Sequence, residues 1–110
     1  MTVFNQTKQT ILANNIIEAK SFIDQSLGLL KYPTPTAMLI KTRFGIHTFF
    51  MKYAIDVLVL DKENRIVKLK ENLKPNVIFI WNPKYDTVVE SREGTIKKTN
   101  TQVGDVLILK

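Results

Sequence analysis

Apolar and polar residues alternate along most of the chain at the two-residue period of a β-strand. Turn-forming residues separate the runs, among them Gly45, the stretch 61–64 and Asn82-Pro83. Two shorter apolar pieces stand near the start of the chain. The pattern therefore predicts strands over residues 3–4, 11–13, 37–41, 46–51, 55–60, 65–69, 77–81, 87–90 and 106–109.

One long segment has helical spacing instead. Apolar residues recur at three- and four-residue intervals from Ile16 to Leu27, and Gly28 follows where a left-handed C-terminal cap belongs. The spacing predicts a helix over 16–27, followed by a surface loop because two prolines lie just beyond it. A single helical turn is expected at 94–99.

The order of these elements favours a mainly β fold. Short connections without helical patterns between the strands favour antiparallel pairing. The segment 55–60 is apolar at nearly every position, which predicts a central strand covered on both faces. We expect a small antiparallel barrel or a two-sheet sandwich of about seven or eight strands, with one N-terminal α-helix packed on it.

Composition narrows the possible functions. The chain has 110 residues, 45% of them hydrophobic, enough for a single domain over 1–110. It has no cysteine, which excludes disulfides, thiolate metal sites and thiol nucleophiles, and its four glycines are too dispersed for a phosphate-binding loop. No apolar run is long enough to cross a membrane and the N-terminus does not read as a secretory signal, so we expect a cytoplasmic protein without a membrane partner unless a leader has been removed.

The net charge of +6 favours acidic partners or polyanions. A basic stripe runs through one stretch of the chain without interleaved aromatic residues, which a stacking platform for single-stranded nucleic acid would need. Two interpretations are open. The basic residues form either a strand face that contacts only solvent, which is favoured, or a surface that binds nucleic acid or an acidic partner. They are Lys62, Arg65, Lys68, Lys70 and Lys74.

Few side chains could carry chemistry. His47 is the only histidine, and Asp56 opens the central apolar strand, where a carboxylate needs either water or a donor. Donors near it in sequence are Arg43, His47 and Lys52, so these four residues form a candidate polar binding cluster. A copper site from His47 and Met51 is disfavoured because four residues of strand separate the two side chains by roughly 13 Å. No metal or other cofactor is expected.

Several short motifs occur together in a fixed order. They are Ala19 with Gly28-Leu29, Met38-Leu39, the run His47-Thr48-Phe49-Phe50-Met51, Ile55-Asp56, Leu60-Asp61, Val89-Glu90 with Gly94, and Gly104-Asp105. In the order and spacing of these motifs, the chain resembles the small bacterial and archaeal proteins of domain-of-unknown-function family 192. The resemblance implies a compact β-fold with one helix, and it implies no activity, substrate or cofactor. Ala37 and Phe50 depart from the family pattern, so a pocket at that place would have a different shape here.

Three functional hypotheses follow. The first is a non-catalytic module that binds a small ligand or a protein partner through Arg43, His47, Lys52 and Asp56. The second is a small enzyme that uses His47 and Asp56 as acid and base, which requires both side chains in one cleft. The third and weakest is nucleic-acid binding through the basic stretch 62–74.

Overall fold

A computed structural model describes residues 2–18, 36–49, 51 and 53–110. This part of the chain contains ten strands and one short helix. The strands are β1 (Val3–Asn5), β2 (Thr10–Ala13), β3 (Asn15–Glu18), β4 (Thr36–Lys41), β5 (Gly45–His47), β6 (Ile55–Leu60), β7 (Ile66–Leu73), β8 (Ile78–Ile80), β9 (Thr87–Arg92) and β10 (Leu107–Leu109), and the helix is α1 (Thr95–Thr99).

A five-stranded sheet of order β3-β4-β9-β6-β7 forms the middle of the molecule. Strand β6 pairs antiparallel with β9, where Asp56 faces Ser91 and Leu58 faces Val89, and it pairs with β7 on its other side. All six residues of β6 are buried. The prediction of a central strand covered on both faces is therefore confirmed.

Two smaller sheets cover the two faces of the five-stranded sheet. On one face, the three-stranded sheet β10-β1-β2 and α1 contribute Val3, Leu107 and Ile96 to a core with Leu58 and Val89. We call this the α1 side. On the other face, the two-stranded sheet β5-β8 contributes a second set of apolar side chains to a separate core. We call this the small-sheet side.

The close contact between β5 and β8 depends on a glycine. Gly45 pairs with Ile80, and a Cβ atom at Gly45 would lie only 2.6 Å from the carbonyl oxygen of Phe79. A larger residue would push the strands apart, because backbone atoms at that distance have no room to give. Gly45 thus keeps the small sheet tightly paired over the central one.

The structure corrects the sequence prediction in three respects. The sheets stack in layers and do not close into a barrel, and the described residues contain more strands than the seven or eight expected. Strand β3 pairs parallel with β4, where antiparallel pairing was expected throughout. The N-terminal helix predicted over 16–27 is wrong at its start because Asn15–Glu18 is a strand, and the remainder of that prediction lies outside the described residues. The expected helical turn at 94–99 is confirmed as α1.

Candidate functional site

The members of the predicted polar cluster that the structure describes do not assemble around Asp56. Both oxygens of this fully buried carboxylate accept backbone amides: Oδ1 from Asn72 at 2.9 Å and Oδ2 from Ile96 at 2.8 Å. The first donor lies on the neighbouring strand β7 and the second lies in α1. Asp56 therefore fastens α1 and β7 to the central strand, because losing it would leave two donors unsatisfied.

Two other members of the cluster, Arg43 and His47, lie elsewhere. Arg43 is exposed in the loop before β5, where Nη1 donates to the carbonyl of Pro83 at 2.7 Å and Nη2 lies 3.6 Å from the Asp86 carboxylate. His47 lies in β5 on the small-sheet side, whereas Asp56 points to the α1 side. Lys52 is outside the described residues. Since the five-stranded sheet stands between His47 and Asp56, the two side chains do not share a cleft, which removes the geometric basis of an acid–base pair.

A second buried carboxylate joins the two ends of the chain. Asp105 accepts from Asn5 Nδ2 at 2.9 Å and from Lys8 Nζ at 2.9 and 3.0 Å. Burial alone would raise the pKa of Asp105, but the hydrogen bonds from Asn5, Lys8 and the Gln102 amide, together with the charge of Lys8, outweigh it and hold the pKa below its ordinary value. Like Asp56, this carboxylate has a structural role that its contacts explain.

A third buried carboxyl differs from both. Glu90 lies in the middle of β9, flanked in the sheet by Met38 and Val57, and only 2% of it is exposed. Its Oε1 makes no hydrogen bond to any residue that the structure describes. Burial raises the pKa of the Glu90 carboxyl to about 8, from an ordinary value of 4.5. Sequence reasoning named this residue only within a motif, although an acid following Val88-Val89 in an apolar strand was the available signal.

The basic residues lie on and beside β7, the edge strand of the five-stranded sheet. Two of them already make contacts within the protein. Arg65 Nη1 donates to the carbonyl of Gly104 at 2.7 Å, and Lys68 Nζ donates to the carbonyl of Ile80 at 2.9 Å while lying 4.9 Å from the centre of the Phe79 ring. The remaining members, Lys62, Lys70 and Lys74, are exposed.

The outward surface of the small sheet is apolar. In this sheet Ile46 pairs with Phe79, and both side chains enter the core. Because side chains alternate along a strand, Ile78 and Ile80 point the other way, and they are 66% and 64% exposed. His47 pairs with Ile78, and its ring stacks on Phe49 with the centroids 4.8 Å apart. We call the four residues His47, Phe49, Ile78 and Ile80 the outer face.

Exposed lysines lie beside the outer face. Lys68 reaches the Ile80 carbonyl, and the main chain of Lys74 lies near the end of β5, since its carbonyl accepts the hydroxyl of Thr48, the residue after His47. Lys70 lies opposite Val57, whose side chain belongs to the core on the small-sheet side, so it also projects from that side of the sheet. The structure thus combines an apolar surface with a basic margin.

The described residues hold no group of three or more His, Cys, Asp and Glu side chains close enough to bind one metal ion. Among the described residues, no helix has the length and apolar character that a membrane-spanning segment requires.

These features define a small, mainly β protein of stacked sheets with an apolar outer face. Residues 3–109 match the family model DUF192, described as an uncharacterized ACR, and the chain belongs to this family. Among its relatives, the UPF0127 protein PH1112 of Pyrococcus horikoshii is 30% identical over 109 residues, covering 94% of each chain. The UPF0127 protein PYRAB11210 of Pyrococcus abyssi is 31% identical over 109 residues, covering 94% of this chain and 92% of the relative.

Two crystal structures share the fold. One is a protein of unknown function from Novosphingobium aromaticivorans, with a TM-score of 0.74 and 13% identity, covering 98% of this chain and 82% of the other. The second, described as a putative transcription regulator from Sinorhizobium meliloti, has a TM-score of 0.76 and 18% identity, covering 97% and 89%. At these identities the likeness shows the fold alone.

Proposed function

We propose that this protein is a non-catalytic binding module that binds an acidic, apolar protein segment on the outer face. The observation that carries the proposal is the pair of isoleucines on β8, which stand side by side in solvent next to the His47–Phe49 stack. Single exposed apolar residues are ordinary, whereas contiguous ones mark interaction surfaces.

The charge around the outer face selects the kind of partner. Lys68 and Lys70 lie on the same side of the sheet as this apolar centre, and the whole chain carries a net charge of +6. A second copy of this chain would bring like charges together, which is unfavourable at an interface. A segment with acidic residues at its margin and apolar residues at its centre matches both properties.

Nucleic acid is the other partner that a basic surface suits. The geometry favours it less, because Arg65 is engaged with the carbonyl oxygen of Gly104 in the protein itself. The surface between the lysines is formed by isoleucine side chains, which offer no hydrogen bonds to phosphates or bases.

Calorimetry with synthetic peptides tests the proposal. The probe is an amidated peptide of alternating Leu and Glu, compared with a peptide of alternating Leu and Lys and with a double-stranded DNA oligonucleotide. We expect the acidic peptide to bind, with an affinity that falls at least about fivefold in Ile80→Asn, because truncating a central anchor costs more than about 1 kcal/mol. The matched control is Val103→Asn, an apolar residue with 60% exposure outside the outer face.

Four results would overturn the proposal. The acidic peptide could bind no better than the basic one, or its affinity could fall equally in Ile80→Asn and Val103→Asn. DNA that binds more tightly than the acidic peptide would replace the proposal with binding of polyanions. Sedimentation of the protein alone completes the test, since dimerisation that Ile80→Asn abolishes would make a second copy the occupant.

A further inference from the structure

The small sheet has a free edge on each side, because β5 and β8 pair only with each other among the described strands. Two backbone hydrogen bonds fix the alternation of this pairing. The amide of Trp81 donates to the carbonyl of Phe44, and the amide of Thr48 donates to the carbonyl of Val77, both at 2.9 Å. In an antiparallel pair, every second residue directs its amide and carbonyl to the partner strand, and the residues between direct theirs to the opposite edge.

The free edge of β8 is therefore formed by the backbone groups of Ile78 and Ile80, which lie between the residues that bond to β5. The amides of both residues donate to no residue that the structure describes, and the Ile80 carbonyl accepts the exposed Lys68 side chain at 2.9 Å. The edge of β5 is less open, because the Gly45 amide donates to the carbonyl of Arg43. An edge with unpaired backbone groups is a template for pairing with another extended segment.

The side chains beside this edge define what an added strand would contain. The apolar side chains of Ile78 and Ile80 stand exposed on the outer face. Lys68 and Lys70 of β7 project from the same side of the five-stranded sheet, since both pair with core residues of β6 on that side. Alternate side chains of an extended segment point to opposite faces. Apolar residues at every second position would thus pack against the isoleucines, and acidic residues between them would lie toward the lysines.

We propose that the partner of the outer face binds as an extended strand along β8, with apolar and acidic residues in alternation. Its backbone exchanges hydrogen bonds with Ile78 and Ile80, and one of its amides replaces the Lys68 ammonium at the Ile80 carbonyl. The released ammonium then pairs with an acidic side chain of the segment. This inference rests on the proposed function, because it states how the same face holds its partner.

Two other occupants fit the edge less well. A helical segment could contact the isoleucines but could not bond to β8, because its own amides and carbonyls are paired within the helix. A second copy of β8 would bring Lys68 and Lys70 of both chains together, and like charges oppose such an interface.

Amide hydrogen exchange measured by NMR tests the strand pairing. The probe is the alternating Leu-Glu peptide, and the comparison peptide has the same composition with its leucines at helical spacing. We expect saturating alternating peptide to slow exchange of the Ile78 and Ile80 amides at least about tenfold, because each becomes a donor to the peptide. The amide of Val103, which lies outside the outer face, is the control and should not change. The comparison peptide should bind at least about fivefold more weakly and leave all three amides unchanged.

Two N-methylated forms of the alternating peptide provide a matched pair. One carries the methyl groups on its leucine amides and the other on its glutamate amides, and only one of these sets faces β8 in a paired strand. We expect one form to lose at least about tenfold in affinity and the other less than about threefold. Loss with methylated leucines indicates antiparallel addition, and loss with methylated glutamates indicates parallel addition.

The outcomes separate this inference from the proposed function. If the alternating peptide fails to bind, or binds without shifting the methyl signals of Ile78 and Ile80, both are wrong. Methyl shifts without slower amide exchange, or equal losses with the two methylated peptides, overturn the strand pairing alone. Slow exchange of the same amides in concentrated protein without peptide would make a second copy the occupant and would also overturn it.

Discussion

The two sides of the five-stranded sheet differ in how well the fold accounts for their side chains. On the α1 side, the buried carboxylates of Asp56 and Asp105 accept hydrogen bonds that join separate elements. On the small-sheet side, Glu90 is buried with an oxygen that bonds to none of the described residues, and Ile78 and Ile80 stand in solvent. Residues whose contacts the fold explains maintain the structure, whereas the exposed isoleucines are the residues on which the proposed function rests.

Ser91 is an exception on the α1 side, since its hydroxyl is buried and lacks a hydrogen bond among the described residues. The well-bonded polar groups on that side lie between elements of the fold.

Replacement of Asp56 should have the largest effect on stability. Asp56→Ala leaves the amides of Asn72 and Ile96 buried without an acceptor, which we expect to lower the free energy of unfolding by about 2–4 kcal/mol. Chemical denaturation measures this change. The control is Asp86→Ala. Asp86 is half exposed and its ion pair with Arg43 is long, at 3.6 Å, so this substitution should cost no more than about 0.5 kcal/mol. Equal costs for the two variants would remove the contrast between the carboxylates.

Glu90→Gln should have an effect of the opposite sign that depends on pH. Because the pKa of Glu90 near 8 exceeds its ordinary value of 4.5, the folded protein keeps a proton that the unfolded chain releases between these values. The free energy of unfolding of the natural protein therefore falls as the pH rises through this window and levels off above it. Glu90→Gln removes this titration. The free energy of unfolding of the variant, relative to that of the natural protein, should therefore increase with rising pH by up to about 1.4 kcal/mol for each pH unit of the window.

Denaturation curves at pH values across this window test the prediction. The control for net charge is Glu93→Gln, which alters an exposed carboxyl three residues along the chain. A stability difference between Glu90→Gln and the natural protein that stays constant with pH would contradict the assignment of Glu90 as a proton-holding buried acid.

Much of the sheet architecture follows from the sequence. The residues of β6 are apolar on both faces, and they lie at the centre of the sheet for that reason. The start of the predicted helix is wrong because Ile16 and Ile17 fit a helical stripe and a strand equally well. Pairing with Ala37 and Met38 of β4 decides the outcome, and local spacing contains no information about so distant a partner.

The polar cluster shows the same limit. The sequence correctly indicates that a carboxylate at Asp56 needs a donor, yet it suggests the side chains of Arg43, His47 and Lys52. The donors are backbone amides 16 and 40 residues away, and every residue except proline carries such a group. The outer face could not be predicted from the sequence either, because an isoleucine in a strand does not show which of the two faces of that strand is buried.

The most direct test of the proposed function is to map the acidic Leu-Glu peptide on the protein by methyl NMR. Isoleucine methyl groups report from the outer face through Ile78 and Ile80 and from a separate exposed site through Ile11. We predict that the peptide shifts and broadens the methyl signals of Ile78 and Ile80 and leaves Ile11 unchanged. Shifts centred on Ile11, or spread evenly over all exposed methyl groups, would contradict the assignment of the outer face as the binding surface.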